Sequence, residues 1–369
     1  MVSPFTIADG GKIFFGGIME QLLAKQKAMD IVKRCVGTLA IPVVFAVVLL
    51  ISCALGGKTM ISGVSGFSNF LIYAGIITIT TFALSINLNS GRFDFSLGSM
   101  AVLSTLISIR ITSSMPSNSG TAILNLLLCL VFGAILGTVS GTLYVLLKIP
   151  PIITSLGVTL VFEGITYSIA EGKYINGGDA MAIYNFMDKN WWFALILILF
   201  ALAIMIFVFD NTKFGYNYKA LREGQKVSVN TGIKEVPNAI VCYAICGALM
   251  GIVGFLSVAR CGGLDGRSLS FGSIGIMFNA FLPMFIGGFI GRFSNDKLGY
   301  LLAGLSMSML NSTFAAYINE VTVSTQSIIN AVLLVVFLIY LNNEQTCKDL
   351  VTGKIFEKWY LSIKSKFTK

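Results

Sequence analysis

The stretch Phe-Ala-Leu-Ile-Leu-Ile-Leu-Phe-Ala-Leu-Ala-Ile-Met-Ile-Phe-Val-Phe, residues 193–209, contains no polar side chain. A helix needs about 20 predominantly apolar residues to cross about 30 Å of hydrocarbon. Similar runs recur along the 369 residues, of which 55% are hydrophobic and 12% are charged. Soluble domains carry about 25% charged residues. We therefore predict an all-α fold, that of a polytopic integral membrane protein.

Ten apolar segments are candidate membrane-spanning helices. They cover residues 36–56, 67–88, 96–115, 121–147, 152–171, 191–209, 238–258, 271–291, 298–317 and 323–341. The third is weak because the polar stretch 87–94 leads into it. The eighth contains Asn279, Pro283 and the pair Gly287-Gly288, so we expect it to be broken or re-entrant.

The basic residues concentrate in short segments between the apolar runs, as in the cytoplasmic loops of membrane proteins. A cytoplasmic N-terminus places 20 of the 26 Lys and Arg residues inside. This asymmetry predicts a plasma-membrane protein with both termini cytoplasmic. We divide the chain into an amphipathic segment 1–35, a transmembrane domain 36–345 and a basic tail 346–369. Each end is either a helix lying on membrane lipid or a solvated basic extension.

Composition excludes a soluble enzyme, a disordered protein and a nucleic-acid binder. The chain has no histidine, the side chain most used as a general base and metal ligand. Gly56-Gly57-Lys58-Thr59 is similar to the end of a phosphate-binding loop, but Ser52 stands where that motif requires glycine. We expect no catalytic residue, cofactor or metal ion, and any energy from ATP must come from a partner.

Two predicted spans carry glycines four residues apart. These glycines are Gly133, Gly137 and Gly141 in the fourth span, and Gly247 and Gly251 in the seventh. Such rows let helix backbones approach closely in lipid. They predict tight helix packing.

The longest internal loop, residues 211–237, is the most informative polar segment. It contains two stretches of helical length, each followed by a glycine, and Pro237 precedes the next span. A loop that only connects two spans would be shorter or more polar. The spacing leaves two interpretations, a docking element for a partner and a linker anchored at the membrane surface.

Residues 215–233, followed by the span from Asn238, resemble the cytoplasmic loop of permeases in ATP-binding-cassette importers for simple sugars. That loop reads approximately G-x-x-x-x-A-I-G-x-N-x-x-A-A-x-x-x-G-I. The matching positions are Ala220, Gly232 and Ile233, with Leu221 as a mild variant. The departing positions are Arg222, Glu223, Gly224, Val227 and Ser228.

Three further stretches carry the resemblance, which runs from about residue 40 to 345. Ser90–Ser99 is similar to the family's G-G-x-D-L-S-V-G-S, and Ile149–Gly157 is similar to V-P-P-F-I-x-T-L-G. Phe285–Gly288 matches an I-G-G motif, but its glycine-rich continuation is replaced in residues 289–294. Within this family the sequence resembles ribose and galactose permeases, and it resembles branched-chain amino-acid permeases more distantly.

The resemblance implies a permease that passes a monosaccharide without catalysis of its own. It also implies a separate ATPase subunit, an extracellular substrate-binding lipoprotein, and a second permease copy in a homodimer or heterodimer. The loop would dock onto the ATPase and convert its closure into movement of the spans. The residues implied in that coupling are Ala220, Leu221, Arg222, Glu223, Gly224, Val227, Ser228, Gly232 and Ile233.

Five polar residues are candidates for the translocation path: Asp94, Ser96, Ser99, Glu163 and Asn279. A carboxylate in hydrocarbon costs about 2.5–3.5 kcal/mol on insertion scales, so it should face a cavity or a partner. Asp94 either lines the path or caps the third helix and pairs with Arg92. Glu163 either changes the polarity of the path or forms a structural pair.

Other functions remain as alternatives. The same machinery could carry nucleosides or branched-chain amino acids. An ion-coupled secondary transporter should show inverted repeats and a polar relay at the midplane, and no clear repeat is visible. A membrane enzyme would need a cluster of catalytic groups, for which the sequence offers no candidate.

Overall fold

A computed structural model describes residues 31–51, 53–54, 63–176, 178–317 and 323–343. The first half consists of α1 (Ile31–Ile51), α2 (Gly63–Asn89), α3 (Leu97–Thr112), α4 (Ser119–Leu147), α5 (Pro151–Ala170), β1 (Tyr174–Asn176) and α6 (Gly178–Lys189). The second half consists of α7 (Phe193–Asn211), α8 (Lys213–Glu223), α9 (Gln225–Asn230), α10 (Glu235–Cys261), β2 (Gly263–Asp265), α11 (Ile274–Phe278), α12 (Phe281–Gly291), α13 (Asp296–Tyr317) and α14 (Val323–Asn342).

Local sequence explains where several helices begin and end. Asn118 precedes α4, and its side chain accepts a hydrogen bond from the backbone N–H of Thr121. Pro151 occupies the first position of α5, where its missing N–H costs nothing. Gly262 follows α10 in the left-handed conformation, which glycine adopts without strain.

The helices confirm the prediction of an all-α polytopic membrane protein. Each of the ten predicted spans coincides with a helix, or with the pair α11–α12, to within about five residues at either end. Among the described residues, seven segments are long and apolar enough to cross a membrane: α1, α2, α4, α5, α7, α10 and α11–α12. Residues 1–30 and 344–369, which hold most of the predicted N-terminal segment and basic tail, lie outside the described residues.

The two spans predicted to be weak are the irregular ones. α3 has 16 residues, because the chain turns at Gly91 and does not become helical again until Leu97. The eighth span is broken into α11 and α12 at Asn279 and Ala280. Both interruptions contain residues that we predicted as candidates for the translocation path.

The glycine rows of α4 and α10 face each other. A Cβ atom on Gly137 would lie 2.2 Å from the backbone oxygen of Tyr243, and one on Gly247 would lie 2.1 Å from that of Gly133. Gly251 approaches the backbone oxygen of Cys129 equally closely. The predicted tight packing is confirmed, and it sets α10 against the centre of the molecule, where most of its residues are buried.

Candidate functional site

The loop between α7 and α10 folds into two short helices, which we call the α8–α9 element. α8 begins after Thr212, whose Oγ1 accepts a hydrogen bond from the backbone N–H of Gly215 at 3.2 Å. Gly224 separates the two helices. The Oγ of Ser228 donates to the backbone oxygen of Ala220 at 2.7 Å and ties α9 back onto α8. The two helical pieces predicted from the sequence are confirmed.

One face of the α8–α9 element is anchored to the transmembrane helices. The hydroxyl of Tyr218 donates to the backbone oxygen of Ile86 at 2.8 Å, near the end of α2. Its ring packs edge-to-face on Phe209 in α7, with centroids 5.0 Å apart. Gly215 lies so close to Phe209 that a Cβ there would be 2.4 Å from its backbone oxygen. The element is therefore fixed to α2 and α7.

The opposite face is exposed and partly apolar. The side chains of Tyr216, Val227 and Val229 are exposed, Val227 by 69%. Of the nine residues implied in coupling, Arg222, Glu223, Val227 and Gly232 are exposed. Leu221 and Ser228 are buried, and Ala220, Gly224 and Ile233 are half-buried. The first group can touch a partner, whereas the buried pair holds the element together.

A network of ion pairs connects the α8–α9 element to the ends of neighbouring helices. Asp210 accepts from Lys219 at 2.7 Å and from Lys297 at 2.5 Å. Arg222 lies 3.7 Å from Asp296, at the first residue of α13. These groups line a cavity of about 550 Å³ between α2, α7, α8 and α13.

The two short strands lie at the other end of α10, since β2 follows its last residue. β1 pairs antiparallel with β2, with Ile175 opposite Leu264. Hydrogen bonds from Arg267 to Asp265 hold the pKa of that carboxyl below its usual value. α10 has 27 residues and so separates the two ends by about 40 Å. The α8–α9 element and the β1–β2 pair therefore lie at opposite ends of α10.

Asp94 lies in the turn between α2 and α3 and is completely buried. Its Oδ1 accepts from the backbone N–H of Ser96 at 2.9 Å and from the Ser96 hydroxyl at 2.6 Å, and its Oδ2 accepts from Asn87 at 3.3 Å. The Ser96 hydroxyl also lies 3.2 Å from that of Ser140 in α4. Ser99 donates back to the Ser96 carbonyl.

The pairing of Arg92 differs from expectation. Arg92 is buried, and its Nη2 lies 3.5 Å from Oε1 of Glu235 in the first turn of α10. No hydrogen bond or salt bridge joins it to Asp94 in the described residues. The expected Asp94–Arg92 pair is therefore wrong, because the Asp94 carboxylate turns toward Asn87 and Ser96. Ser96 precedes α3, and its side chain makes no capping hydrogen bond to that helix.

Glu163 is buried in the middle of α5 and holds the chain that enters α11. Its carboxylate accepts from the backbone N–H groups of Phe271 (2.9 Å) and Ser273 (2.8 Å) and from the Ser273 hydroxyl (2.5 Å). Ser270 and Phe271 have φ values of 56° and 71°, a conformation that costs non-glycine residues energy. The carboxylate offsets that cost.

Asn279 lies at the break between α11 and α12 and is exposed. It lines a small cavity of about 130 Å³ together with Thr80 in α2 and Ser257 and Arg260 in α10. The guanidinium of Arg260 lies 4.1 Å from the ring centroid of Tyr73. Of the five candidate path residues, only Asn279 is exposed, and the other four are buried.

The described residues hold no group of three or more Cys, Asp or Glu side chains that could bind a metal ion. The seven candidate spans among the described residues define a multi-pass membrane protein. The family described as the permease component of branched-chain amino acid transport systems matches residues 66–341, and the chain belongs to this family.

Several curated permeases are similar to this chain. An autoinducer 2 import system permease from Photorhabdus laumondii is 23% identical over 248 residues, covering 65% of this chain and 70% of the relative. A fructose import permease from Rhizobium meliloti is 23% identical over 249 residues, covering 64% and 67%. An L-arabinose transport system permease from Escherichia coli is 25% identical over 192 residues, covering 49% and 57%. No solved structure matched the chain significantly.

Sequence reasoning missed two features of the site. The loop predicted over residues 211–237 includes Glu235, but α10 begins at Glu235 with Pro237 in its first turn. Gly98 belongs to the Ser90–Ser99 motif, and the motif does not predict its close contact: a Cβ there would lie 2.0 Å from the backbone oxygen of Ser273. Glu235, an acidic residue two positions before Pro237, was the available signal for the helix start.

Proposed function

We propose that the chain is the membrane permease of an ATP-driven importer for a monosaccharide. The observation that carries this proposal is the family match over residues 66–341, together with relatives named as fructose, L-arabinose and autoinducer 2 import permeases. ATP hydrolysis belongs to a separate ATPase subunit, and a binding lipoprotein delivers the solute from outside. A second permease copy, identical or not, completes the path within membrane lipid.

The α8–α9 element is the ATPase-docking site in this proposal. Its exposed residues Arg222, Glu223, Val227 and Gly232 make the contacts, and its buried residues transmit the force. An amphipathic helix placed in a groove of a partner is a common mode of recognition. The anchoring of Tyr218 on α2 supports this assignment, since a movable surface linker would not need it.

The path for the solute runs past the two interrupted helices. Asn279 can offer its amide to sugar hydroxyls, since it is exposed in a cavity that Thr80, Ser257 and Arg260 also line. The contacts of Asp94, Ser96, Ser99 and Glu163 support the structural alternative for these four residues, which shape the path without lining it. Both termini and the α8–α9 element lie in the cytoplasm.

The test is purification of the tagged permease from its own host, followed by uptake assays. We expect an ATPase to purify with it, and cells to take up at least one of the radiolabelled probes D-fructose, L-arabinose or D-ribose. L-Leucine serves as the probe for the amino-acid alternative, because the family description names that substrate class. Uptake of leucine alone would overturn the sugar assignment.

A charge reversal at Glu223 tests the docking site, because Glu223 is exposed and its change should not affect folding. We expect Glu223→Arg to lower the amount of co-purified ATPase and to reduce uptake about tenfold or more, the scale of a lost interfacial charge contact. Lys173→Glu at the other end is the matched control. Normal uptake in Glu223→Arg would contradict docking through this residue.

A further inference from the structure

One carboxylate oxygen joins the α8–α9 element to the interior of the membrane domain. Oε1 of Glu235 accepts a hydrogen bond from Nε2 of Gln225 at 2.5 Å. The same oxygen lies 3.5 Å from Nη2 of Arg92. Gln225 is the exposed first residue of α9, whereas Arg92 is only 4% exposed. Glu235 therefore contacts the surface element and the turn between α2 and α3 at once.

A second link reaches the same turn from α8. The hydroxyl of Tyr218 donates to the backbone oxygen of Ile86, and the turn follows at the end of α2. Both helices of the α8–α9 element are therefore connected to residues 86–92. The backbone N–H of Arg92 in turn donates to the oxygen of Asn87 at 2.9 Å, so a shift of Arg92 acts on Asn87.

The turn itself has unused hydrogen-bonding capacity. In the described residues, Nη1 of Arg92 and Oδ1 of Asn87 are buried and have no hydrogen-bond partner. Buried polar atoms without a partner carry a free-energy cost. An arrangement that leaves a donor and an acceptor unpaired in one conformation is suited to a segment that exchanges partners in another conformation.

We propose that Glu235 is a positioning residue that couples the α8–α9 element to the turn between α2 and α3. Movement of α9 shifts Glu235 through Gln225, and Glu235 shifts Arg92 and, with it, the turn that holds Asp94. The proposal rests on the function proposed above, since it needs an ATPase that moves the element. It adds Gln225, Glu235 and Arg92 to the coupling residues.

The experiment measures the movement of the turn directly and needs no knowledge of the transported solute. Ser90 is half-buried in the turn, and cysteine is close to it in size. Ser90→Cys is introduced after the exposed or half-buried Cys35, Cys53 and Cys261, and also Cys347, are changed to serine. The purified permease–ATPase complex in lipid nanodiscs is labelled with a charged maleimide, with and without ATP and vanadate.

We expect trapping with ATP and vanadate to change the labelling rate at position 90 about fivefold or more, the lower range of allosteric coupling. In Glu235→Gln and in Gln225→Ala that change should fall below about twofold. Gln225→Ala alters an exposed side chain and should fold normally. Glu171→Gln, an exposed carboxylate at the other end, is the matched control and should keep the full change.

The outcomes separate the two proposals. A labelling change that survives in both Glu235→Gln and Gln225→Ala would overturn the role of Glu235 while leaving the importer function intact. A permease that purifies without any ATPase would overturn the importer function and, with it, this coupling. Loss of the change together with loss of bound ATPase would show a docking defect and would also contradict the proposal, which requires docking to persist.

Discussion

At the scale of single residues, Glu163 shows how a buried carboxylate is accommodated in a membrane helix. Two backbone N–H groups and one hydroxyl donate to it, so its charge is dispersed over three hydrogen bonds. The backbone oxygen of Ser273 meets α3 at Gly98, where any side chain would collide with it. Glu163 and Gly98 thereby fix the entry to α11 from two sides.

Replacing Glu163 by glutamine should destabilise the protein. The amide NH₂ of glutamine is a donor that would face other donors, so at least one buried group loses its partner. We expect a loss of about 1–3 kcal/mol in the free energy of unfolding, seen as a lower thermal unfolding midpoint in detergent. Glu171→Gln is the control, because Glu171 forms an exposed pair with Lys173 and such pairs contribute little. Equal midpoints for the two variants would contradict the role of Glu163.

At the scale of helices, close backbone contact explains why glycines recur in α4 and α10. Lipid tails are as apolar as leucine side chains, so hydrophobicity alone does not bring two helices together. The small residues let the backbones approach until Gly133 and Gly247 touch. α5, in contrast, carries Gly157 and Gly164 on a face where a Cβ would meet nothing within 4 Å.

Glycine-to-alanine substitutions in α4 and in α5 should change the free energy of unfolding in opposite directions. In Gly137→Ala the new methyl would collide with the backbone of Tyr243 and cost about 1–3 kcal/mol, as overpacking usually does. In Gly157→Ala the methyl has free space, and the gain in helix propensity is about 0.5–1 kcal/mol. Thermal unfolding midpoints of the two variants test this. A midpoint of Gly137→Ala at or above that of the unmodified protein would refute the packing argument.

Features set by local or regularly spaced residues could be predicted from the sequence, and contacts between distant residues could not. Apolar runs such as 193–209 reveal spans directly, because length and hydropathy decide whether a helix can cross a bilayer. Gly224 and the glycine rows act locally or at a regular spacing, and both were predicted. The contact of Glu163 with Ser273 joins residues that are 110 positions apart. No local sequence pattern predicts such a contact. The partner of Arg92 was mispredicted for the same reason.

At the scale of the whole molecule, charged residues lie at two opposite ends, and α10 extends between these ends. The end that carries Asp210, Lys219, Arg222 and Lys297 is dense in ion pairs. Ion pairs at this end tie α7, α8 and α13 together, and the cavity of about 550 Å³ lies among them. The other end is held by the short β1–β2 pair and α6. A displacement of α8 at the charged end would therefore act on several spans at once. A transporter driven from one side requires such a connection.

The excess of Lys and Arg at this end predicts that it faces the cytoplasm, and two natural cysteines can test it. Cys261 ends α10 beside β2 and is exposed, and Cys35 lies exposed near the start of α1. In intact cells, a membrane-impermeant maleimide should label a variant that keeps only Cys261 among the accessible cysteines. The variant that keeps only Cys35 among the accessible cysteines should be labelled once the membrane is permeabilised. The reverse pattern would place the α8–α9 element outside, where no ATPase could reach it, and would overturn both the orientation and the proposed coupling.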